Sequence, residues 1–142
     1  MTVQPIPEGF HTVTPYLYMN DAARFIDFAK AAFGAVEQGR MPAPDGTIAH
    51  AALQIGDSMV MLSEGEPRPC SIFLYLNDVD GQYRQALGAG ATSETEPADQ
   101  FWGDRFASVR DAWGNTWQIA THIEDLSEEE MQKRMAAMAP AG

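Results

Sequence analysis

The chain has 142 residues, of which 45% are hydrophobic, and these numbers suit one compact domain with its own core. Its formal net charge of −11 argues against binding nucleic acid, which requires a basic surface. No apolar stretch is long enough to span a membrane, and because MTVQPIPEGFH lacks a basic region followed by an apolar run, we expect no signal peptide. Together with the single cysteine, Cys70, this predicts a cytoplasmic protein.

One pattern, a strand that ends in Asn-Asp and continues into an amphipathic helix, occurs twice. The copies begin at Leu17 and Leu74, 57 residues apart, as LYMNDAARFIDFAKAAFGA and LYLNDVDGQYRQALGAGAT. Such a repeat predicts two similar structural units. The expected cap and stop residues are Asn20 or Asp21 and Gly34 in the first helix, and Asp78 and Gly90 in the second.

Each predicted helix precedes three strand-like runs, so the order β-α-β-β-β occurs twice. A parallel α/β sheet would need a helix after nearly every strand, and only two core helices are visible. We therefore predict an α+β fold in which two tandem βαβββ modules form a curved mixed sheet around a cavity. The predicted strands after the helices cover residues 35–41, 47–55 and 58–63, then 92–96, 105–110 and 116–121.

The predicted domain covers residues 1–126, with modules at about 11–63 and 70–122 and a linker at 64–69. A C-terminal helix and tail follow at 127–142. Ser127 and Glu130 match a capping box at the start of this helix. Its apolar stripe, formed by Met131, Met135 and Met138, is expected to pack on the domain or on a second subunit.

Alternation of side chains along each strand separates the face under the helices from a second, semi-polar face. If Gly56-Asp57 is a two-residue hairpin, Gln54 pairs with Met59 and shares this second face with it. The run 105–110 does not alternate cleanly, which suggests a bulge there. The predicted ligand-binding residues are Thr14, Tyr16, Tyr18, His50, Gln54, Met59, Met61, Ser71, Phe73, Tyr75, Trp102 and Gln118.

Three stretches resemble the PhnB-like branch of the glyoxalase/bleomycin-resistance (vicinal oxygen chelate) superfamily. They are TPYLYMNDAARFIDFAKAAFGA, MPAPDGTIAHAALQIGDSMVML, and ADQFWGDRFASVRDAWGNTWQIATH with EDLSEEE following. The resemblance covers most of residues 10–130 and implies the two-module fold. It leaves the function open, because the superfamily includes isomerases, dioxygenases, transferases and drug-binding proteins.

The resemblance also implies where a metal would be held. Metal-using members place ligands on the first and fourth strand of each module, and those positions are Thr14, Met61, Ser71 and Gln118 in this chain. These side chains do not suit a divalent ion that is bound by His and carboxylate groups. We therefore expect no metal and no other cofactor, and neither glyoxalase I nor ring-cleaving dioxygenase activity.

Two side chains remain as special candidates. His50 is the one titratable group that the pairing places on the second face, where it is either a general base or a structural contact. Trp102 lies on a segment that resembles the Trp-Gly loop of bleomycin-binding members, and either covers a flat ligand or closes the rim of the fold. His11 and His122 are expected to lie at the periphery of the sheet.

The sequence thus predicts a metal-independent protein that binds a small molecule, either aromatic or cationic. One alternative is an enzyme with a non-standard site, with His50 as candidate catalytic residue. Another is a dimeric interaction protein that uses the Met-rich helix. The resemblance implies a homodimer, and neither nucleic acid nor a membrane is an expected partner.

Overall fold

The order β-α-β-β-β occurs twice in residues 2–138, the part of the chain that the computed structural model describes. The elements are β1 (Tyr16–Met19), α1 (Ala22–Phe33), β2 (Val36–Pro42), β3 (Ile48–Ile55), β4 (Ser58–Glu64), β5 (Ser71–Tyr75), α2 (Val79–Gly88), β6 (Thr92–Asp99), β7 (Asp104–Arg110), β8 (Thr116–His122) and α3 (Glu128–Met138). The predicted α+β class and the tandem modules are confirmed. The last four residues of the predicted tail, 139–142, lie outside the described part.

Each module forms a four-stranded mixed sheet of its own. The strand order is β1-β4-β3-β2 in the first sheet and β5-β8-β7-β6 in the second. β1 and β5 run parallel to their neighbours, and the other pairs are antiparallel. β1 and β5 are therefore edge strands, and on the outer side of β1 the carbonyl oxygen of Tyr18 accepts from the backbone N–H of Arg68 at 3.2 Å.

The two sheets share one core with the helices between them. Phe33 of α1 lies 4.6 Å, ring to ring, from Trp117 of the second sheet, and Phe25 lies 6.3 Å from it. The same cluster contains the inward side chains of the first sheet, such as Leu53 and Leu62. Because both inner faces pack on the helical layer, the opposite face of each sheet points away from the common core.

The start of α1 depends on a residue distant in sequence. Asp21 is the N-cap residue, but its φ of 54° is left-handed and its side chain makes no capping hydrogen bond. Instead the carboxylate of Glu64 accepts from the backbone N–H of Asp21 at 2.7 Å and of Ala22 at 3.0 Å. Gly34 ends the helix in the left-handed conformation, as predicted.

Two local expectations need correction. The suspected bulge in β7 is wrong, because β7 pairs with β8 without a register shift. The shifts lie in β6, between Ser93 and Thr95 and between Thr95 and Ala98. The Met-rich stripe of α3 has no buried residue within residues 2–138, so it is not buried in the domain, and its packing on a second subunit stays a prediction. Arg134 ties α3 to the body through Glu124, at 2.6 Å.

Candidate functional site

The outward face of the first sheet carries an aromatic surface, which we call the first binding face. Strand register places Tyr16 opposite Met61, Gln54 opposite Met59, and Ala52 opposite Met61, so these side chains share one side. The predicted pairing across the Gly56-Asp57 turn is confirmed. The face consists of Tyr16, Tyr18, His50, Gln54, Met59 and Met61.

The polar groups on this face are few. The rings of Tyr16 and Tyr18 lie 5.0 Å apart, and both side chains are more than one-third exposed. The Tyr16 hydroxyl lies 3.1 Å from Nδ1 of His50. The guanidinium of Arg68 lies over the Tyr18 ring at 4.9 Å from its centre. This arrangement suits contact with a flat, mainly apolar molecule.

The outward face of the second sheet, the second binding face, is also aromatic. Its members are Ser71, Phe73, Tyr75, Phe106, Ser108, Gln118 and His122, with Trp102 on the loop before β7. The Phe73 ring lies 5.0 Å from Tyr75 and 5.9 Å from Phe106, and Trp102 meets Phe106 edge-on at 6.0 Å. Gln118 lies opposite Phe73 and Ser108. An amide and a hydroxyl thus lie among the rings.

A buried carboxylate organises one end of the second binding face. Asp104 is 1% exposed. Its Oδ2 accepts from the Tyr75 hydroxyl at 2.8 Å and from Nε1 of Trp102 at 2.7 Å. Its Oδ1 lies 2.8 Å from Nδ1 of His122, whose Nε2 lies 2.8 Å from a carboxylate oxygen of Asp125. One carboxylate therefore connects two aromatic side chains of the face to an imidazole.

These hydrogen bonds change the protonation of each partner. Burial acts to raise the pKa of Asp104, but hydrogen bonds from His122, Tyr75 and Trp102 outweigh it, and the pKa is lowered. The hydrogen bonds of His122 to Asp104 and Asp125 raise the pKa of the imidazole. The hydrogen bond to Asp104 also raises the pKa of Tyr75. Asp104 is thus an anion whose nearest cation is the protonated form of His122.

Backbone contacts attach the Trp102 loop to the segment that follows β8. The carbonyl oxygen of Gly103 accepts from the N–H of Ile123 at 2.8 Å and of Glu124 at 3.1 Å. Gly103 has a φ of 97°, and a Cβ there would collide with the Glu124 carbonyl oxygen. Glycine is therefore required for this close approach.

The residues predicted from the resemblance as metal positions do not form a metal site. Thr14 precedes β1 and donates to the carbonyl oxygen of His11, and Met61 offers a thioether on the first face. Ser71 and Gln118 lie on the second face, which belongs to the other sheet. Hydroxyl, thioether and amide groups divided between two faces do not fit a divalent ion.

Other side chains do not supply a metal site either. Within residues 2–138, no three His, Cys, Asp or Glu side chains converge as a ligand set. Asp104 and Asp125 lie on opposite ring nitrogens of His122, so their oxygens do not meet at one point. None of the helices in the same residues is long and apolar enough to cross a membrane.

Two residues of the second face were missed from the sequence. We expected His122 at the periphery, yet it is the last residue of β8 and has the parity of Gln118. Asp104 begins β7 opposite His122. The sequence does not identify it as a site residue, because the irregular apolar pattern of 105–110 does not show which side chains of the strand face outward. Alternation places Asp104 on the same side of β7 as Phe106 and Ser108, so recognising these two residues as outward-facing would also have placed Asp104 on the outward face.

An open cleft of about 750 Å³ runs along the unpaired edge of β5. Six consecutive residues of the chain, 73–78, line it together with the β3–β4 turn, Phe33 of α1 and Gln82 of α2. Because consecutive strand residues point to opposite faces, the cleft exposes the strand's edge rather than one face. Phe73 and Tyr75 therefore border both the second binding face and this edge.

A model of the Glyoxalase/Bleomycin resistance protein/Dioxygenase superfamily matches residues 9–119. An uncharacterised protein of Mycobacterium bovis is 39% identical over an alignment of 140 positions, which covers 88% of this chain and 92% of that protein. TioX from Micromonospora sp. ML1 is 28% identical with a TM-score of 0.71, over 80% of this chain and 99% of that chain.

A glyoxalase/bleomycin resistance protein/dioxygenase family enzyme from Burkholderia phytofirmans PsJN has a TM-score of 0.66. It is 17% identical over 78% of this chain and 97% of that chain, a likeness that shows the fold. The chain therefore belongs to the glyoxalase/bleomycin resistance protein/dioxygenase superfamily.

Proposed function

We propose that this protein is a metal-independent, cytoplasmic binding protein for a flat aromatic small molecule. The observation that carries the proposal is the pair of solvent-exposed aromatic faces, with Tyr16 and Tyr18 on one and Phe73 and Tyr75 on the other. Exposed aromatic patches of this kind mark binding surfaces, and rings gain from stacking with flat ligands.

The charges favour a neutral aromatic ligand over a cationic one. Asp104, the carboxylate at one end of the second binding face, already accepts from Tyr75 and Trp102 and faces His122. At the other end of β7, Arg110 binds Glu94 at 3.0 Å. A cationic ligand would have to displace one of these partners, whereas Gln118 offers a neutral ligand both a donor and an acceptor.

We also propose that the protein is a homodimer in which the ligand-binding cavities form between the two chains. The two faces belong to different sheets, and β1 and β5 are each the edge strand of their sheet. In a homodimer the first face of one chain can lie beside the second face of its partner, which encloses a ligand between them. A cavity of this kind buries the exposed rings of both faces.

The experiment compares two flat tricyclic probes, neutral phenazine and the permanent cation N-methylacridinium. Binding is followed by quenching of tryptophan fluorescence. We expect phenazine to bind more tightly than the cation. Replacing Phe73 with Ala should weaken phenazine by about tenfold, since an aromatic contact contributes on the order of 1 kcal/mol beyond its buried area.

A matched control is Val3→Ala, which shortens an exposed apolar side chain outside both sheets and should leave phenazine binding unchanged. Equal weakening by Val3→Ala and Phe73→Ala would indicate non-specific adsorption. Absence of phenazine binding would refute the aromatic-ligand proposal. Tighter binding of N-methylacridinium would instead assign the site to cationic compounds.

One contact favours an enzymatic alternative. The Tyr16 hydroxyl lies 3.1 Å from Nδ1 of His50, so the imidazole is oriented on an exposed face where it could accept a proton from a substrate. The test is a screen for turnover of small carbonyl compounds, followed by His50→Ala. Loss of turnover in His50→Ala, with the thermal unfolding of the wild type retained, would establish the enzymatic function.

A further inference from the structure

We propose that Asp104 is the positioning residue of the second binding face, and that the proton on His122 sets how firmly it acts. Its buried carboxylate holds the Trp102 indole and the Tyr75 phenol in the orientation that a flat ligand requires. The ligand in this inference is that of the proposed function, whereas the positioning itself is a property of the free protein.

The first argument is that two rings share one oxygen. The Tyr75 hydroxyl and Nε1 of Trp102 both donate to Oδ2 of Asp104, at 2.8 and 2.7 Å. Tyr75 is 65% exposed and Trp102 lies on a loop, so neither is held by packing alone. Fixing such side chains before the ligand arrives removes part of the entropy cost of binding.

The second argument is the charge of Asp104. A carboxylate that is 1% exposed is costly unless it is hydrogen-bonded and paired with a cation. His122 occupies its other oxygen at 2.8 Å. The anion therefore depends on His122 for countercharge, while Tyr75 and Trp102 supply neutral donors.

The third argument is the set of groups around His122. His122 faces Asp104 of β7, whose carboxylate also accepts from the Tyr75 hydroxyl of β5. In the segment after β8, His122 faces Asp125 and the charge of Glu124. Arg134 of α3 binds Glu124 rather than His122. A protonated imidazole has two N–H donors for two carboxylates, and a neutral one has a single donor.

Loss of that proton therefore leaves one carboxylate opposite a nitrogen lone pair. The affected segment is the one that binds the Trp102 loop, because Ile123 and Glu124 donate to the carbonyl oxygen of Gly103. We expect the indole of Trp102 to become less restrained as pH rises and His122 loses its proton. A purely structural contact would not make the restraint on the Trp102 indole depend on pH, so this dependence distinguishes a positioning role from a structural one.

The decisive readout is the ¹⁵N-indole NMR resonance of Trp102 in the free protein, assigned with Trp102→Phe. In the wild type it should titrate together with His122. Asp104→Leu removes both acceptor oxygens, so the indole N–H resonance should shift upfield and should no longer titrate together with His122. Asp104→Asn keeps one oxygen without the charge, so the resonance should stay near its wild-type position but lose the titration.

Binding provides the second readout. Phenazine, which stays uncharged over the range studied, should bind about tenfold more weakly to Asp104→Leu than to the wild type. Its affinity for the wild type should fall as pH rises, and His122→Gln should bind it equally at both ends of that range. An unchanged Trp102 indole resonance in Asp104→Leu, or unchanged phenazine affinity, would overturn the proposal.

The two proposals fail in different ways. If phenazine does not bind the wild type, the proposed function fails, and the indole resonance of the free protein still decides whether Asp104 positions Trp102. If Asp104→Leu does not fold, the wild-type pH series and His122→Gln take its place. An indole resonance that ignores pH in the wild type would then refute the role of the His122 proton.

Discussion

The side chain of Asp111 shows how one buried residue can hold a whole turn. One carboxylate oxygen accepts from the backbone N–H groups of Trp113 and Asn115, both at 2.9 Å. The other accepts from Nε1 of Trp117 at 2.9 Å and from Nδ2 of Asn115 at 3.0 Å. The β7–β8 turn and Trp117, the largest fully buried side chain, thus share one carboxyl group as acceptor.

Replacing Asp111 with Ala should lower the free energy of unfolding by about 3 kcal/mol, because several buried donors lose their acceptor at once. Urea unfolding followed by circular dichroism measures the change. The adjacent exposed residue gives the control, since Ala112→Ser should alter stability by less than about 0.5 kcal/mol. Equal effects of the two substitutions would contradict the role of Asp111.

The Asp104–His122 pair predicts a pH dependence of stability. Because the folded-state pKa of His122 is raised, its contribution is complete below the unfolded-state value of about 6.5 and is lost as pH rises through the folded value. The pKa of Asp104 is lowered, so its contribution is present above about 3.9 and is lost as pH falls through the folded value. Stability should therefore be greatest between these limits.

Urea unfolding over a pH series measures this profile. His122→Gln should flatten the decline on the alkaline side, and it should also reduce the loss on the acid side, because the hydrogen bond from His122 helps to lower the pKa of Asp104. If His122→Gln and the wild type lose stability in parallel above neutral pH, the imidazole does not carry the effect.

At the scale of elements, helix α1 begins on a carboxylate supplied by another strand. Glu64, the last residue of β4, accepts from the N–H groups of Asp21 and Ala22. The negative charge also lies at the positive end of the helix dipole. The βα junction of the first module is therefore closed by a contact between residues more than forty positions apart.

Glu64→Ala should cost about 1 to 2 kcal/mol of unfolding free energy, the range for loss of a charged helix cap. Glu64→Gln should cost less, because one acceptor oxygen remains. Glu66→Ala, an exposed neighbour, is the control and should be nearly neutral. Thermal unfolding of the three variants tests the order, and a neutral Glu64→Ala would refute the capping role.

Local patterns predicted the elements well and their distant contacts poorly. The Gly56-Asp57 turn and the alternation around it led directly to the pairing of Gln54 with Met59, since both depend on neighbouring residues. The cap formed by Glu64 depends on how β4 lies beside α1, which no local pattern records. The role of Asp104 was missed because Phe106 places an apolar ring on the outward face, where alternation favours a polar residue.

At the scale of the whole molecule, the proposed homodimer predicts a solution mass of twice the 15.5 kDa of the chain. The protein should remain a dimer when residues 127–142 are removed, because the proposed contact lies at β1 and β5. Helix α3 itself has no buried residue. Multi-angle light scattering measures both proteins. A monomeric truncated protein would assign the interface to the Met-rich helix, and a monomeric full-length protein would refute the dimer.

In such a dimer each cavity takes its two faces from different chains, so two defective variants can complement each other. A chain with Tyr18→Ala damages only its first face, and a chain with Phe73→Ala damages only its second. A mixed dimer of these two defective chains would contain one cavity built from two intact faces and one built from two damaged faces. When two variants that each bind poorly alone are mixed in equal amounts and exchange subunits, half of the dimers are mixed and each of these has one intact cavity, so about a quarter of the wild-type binding capacity should return.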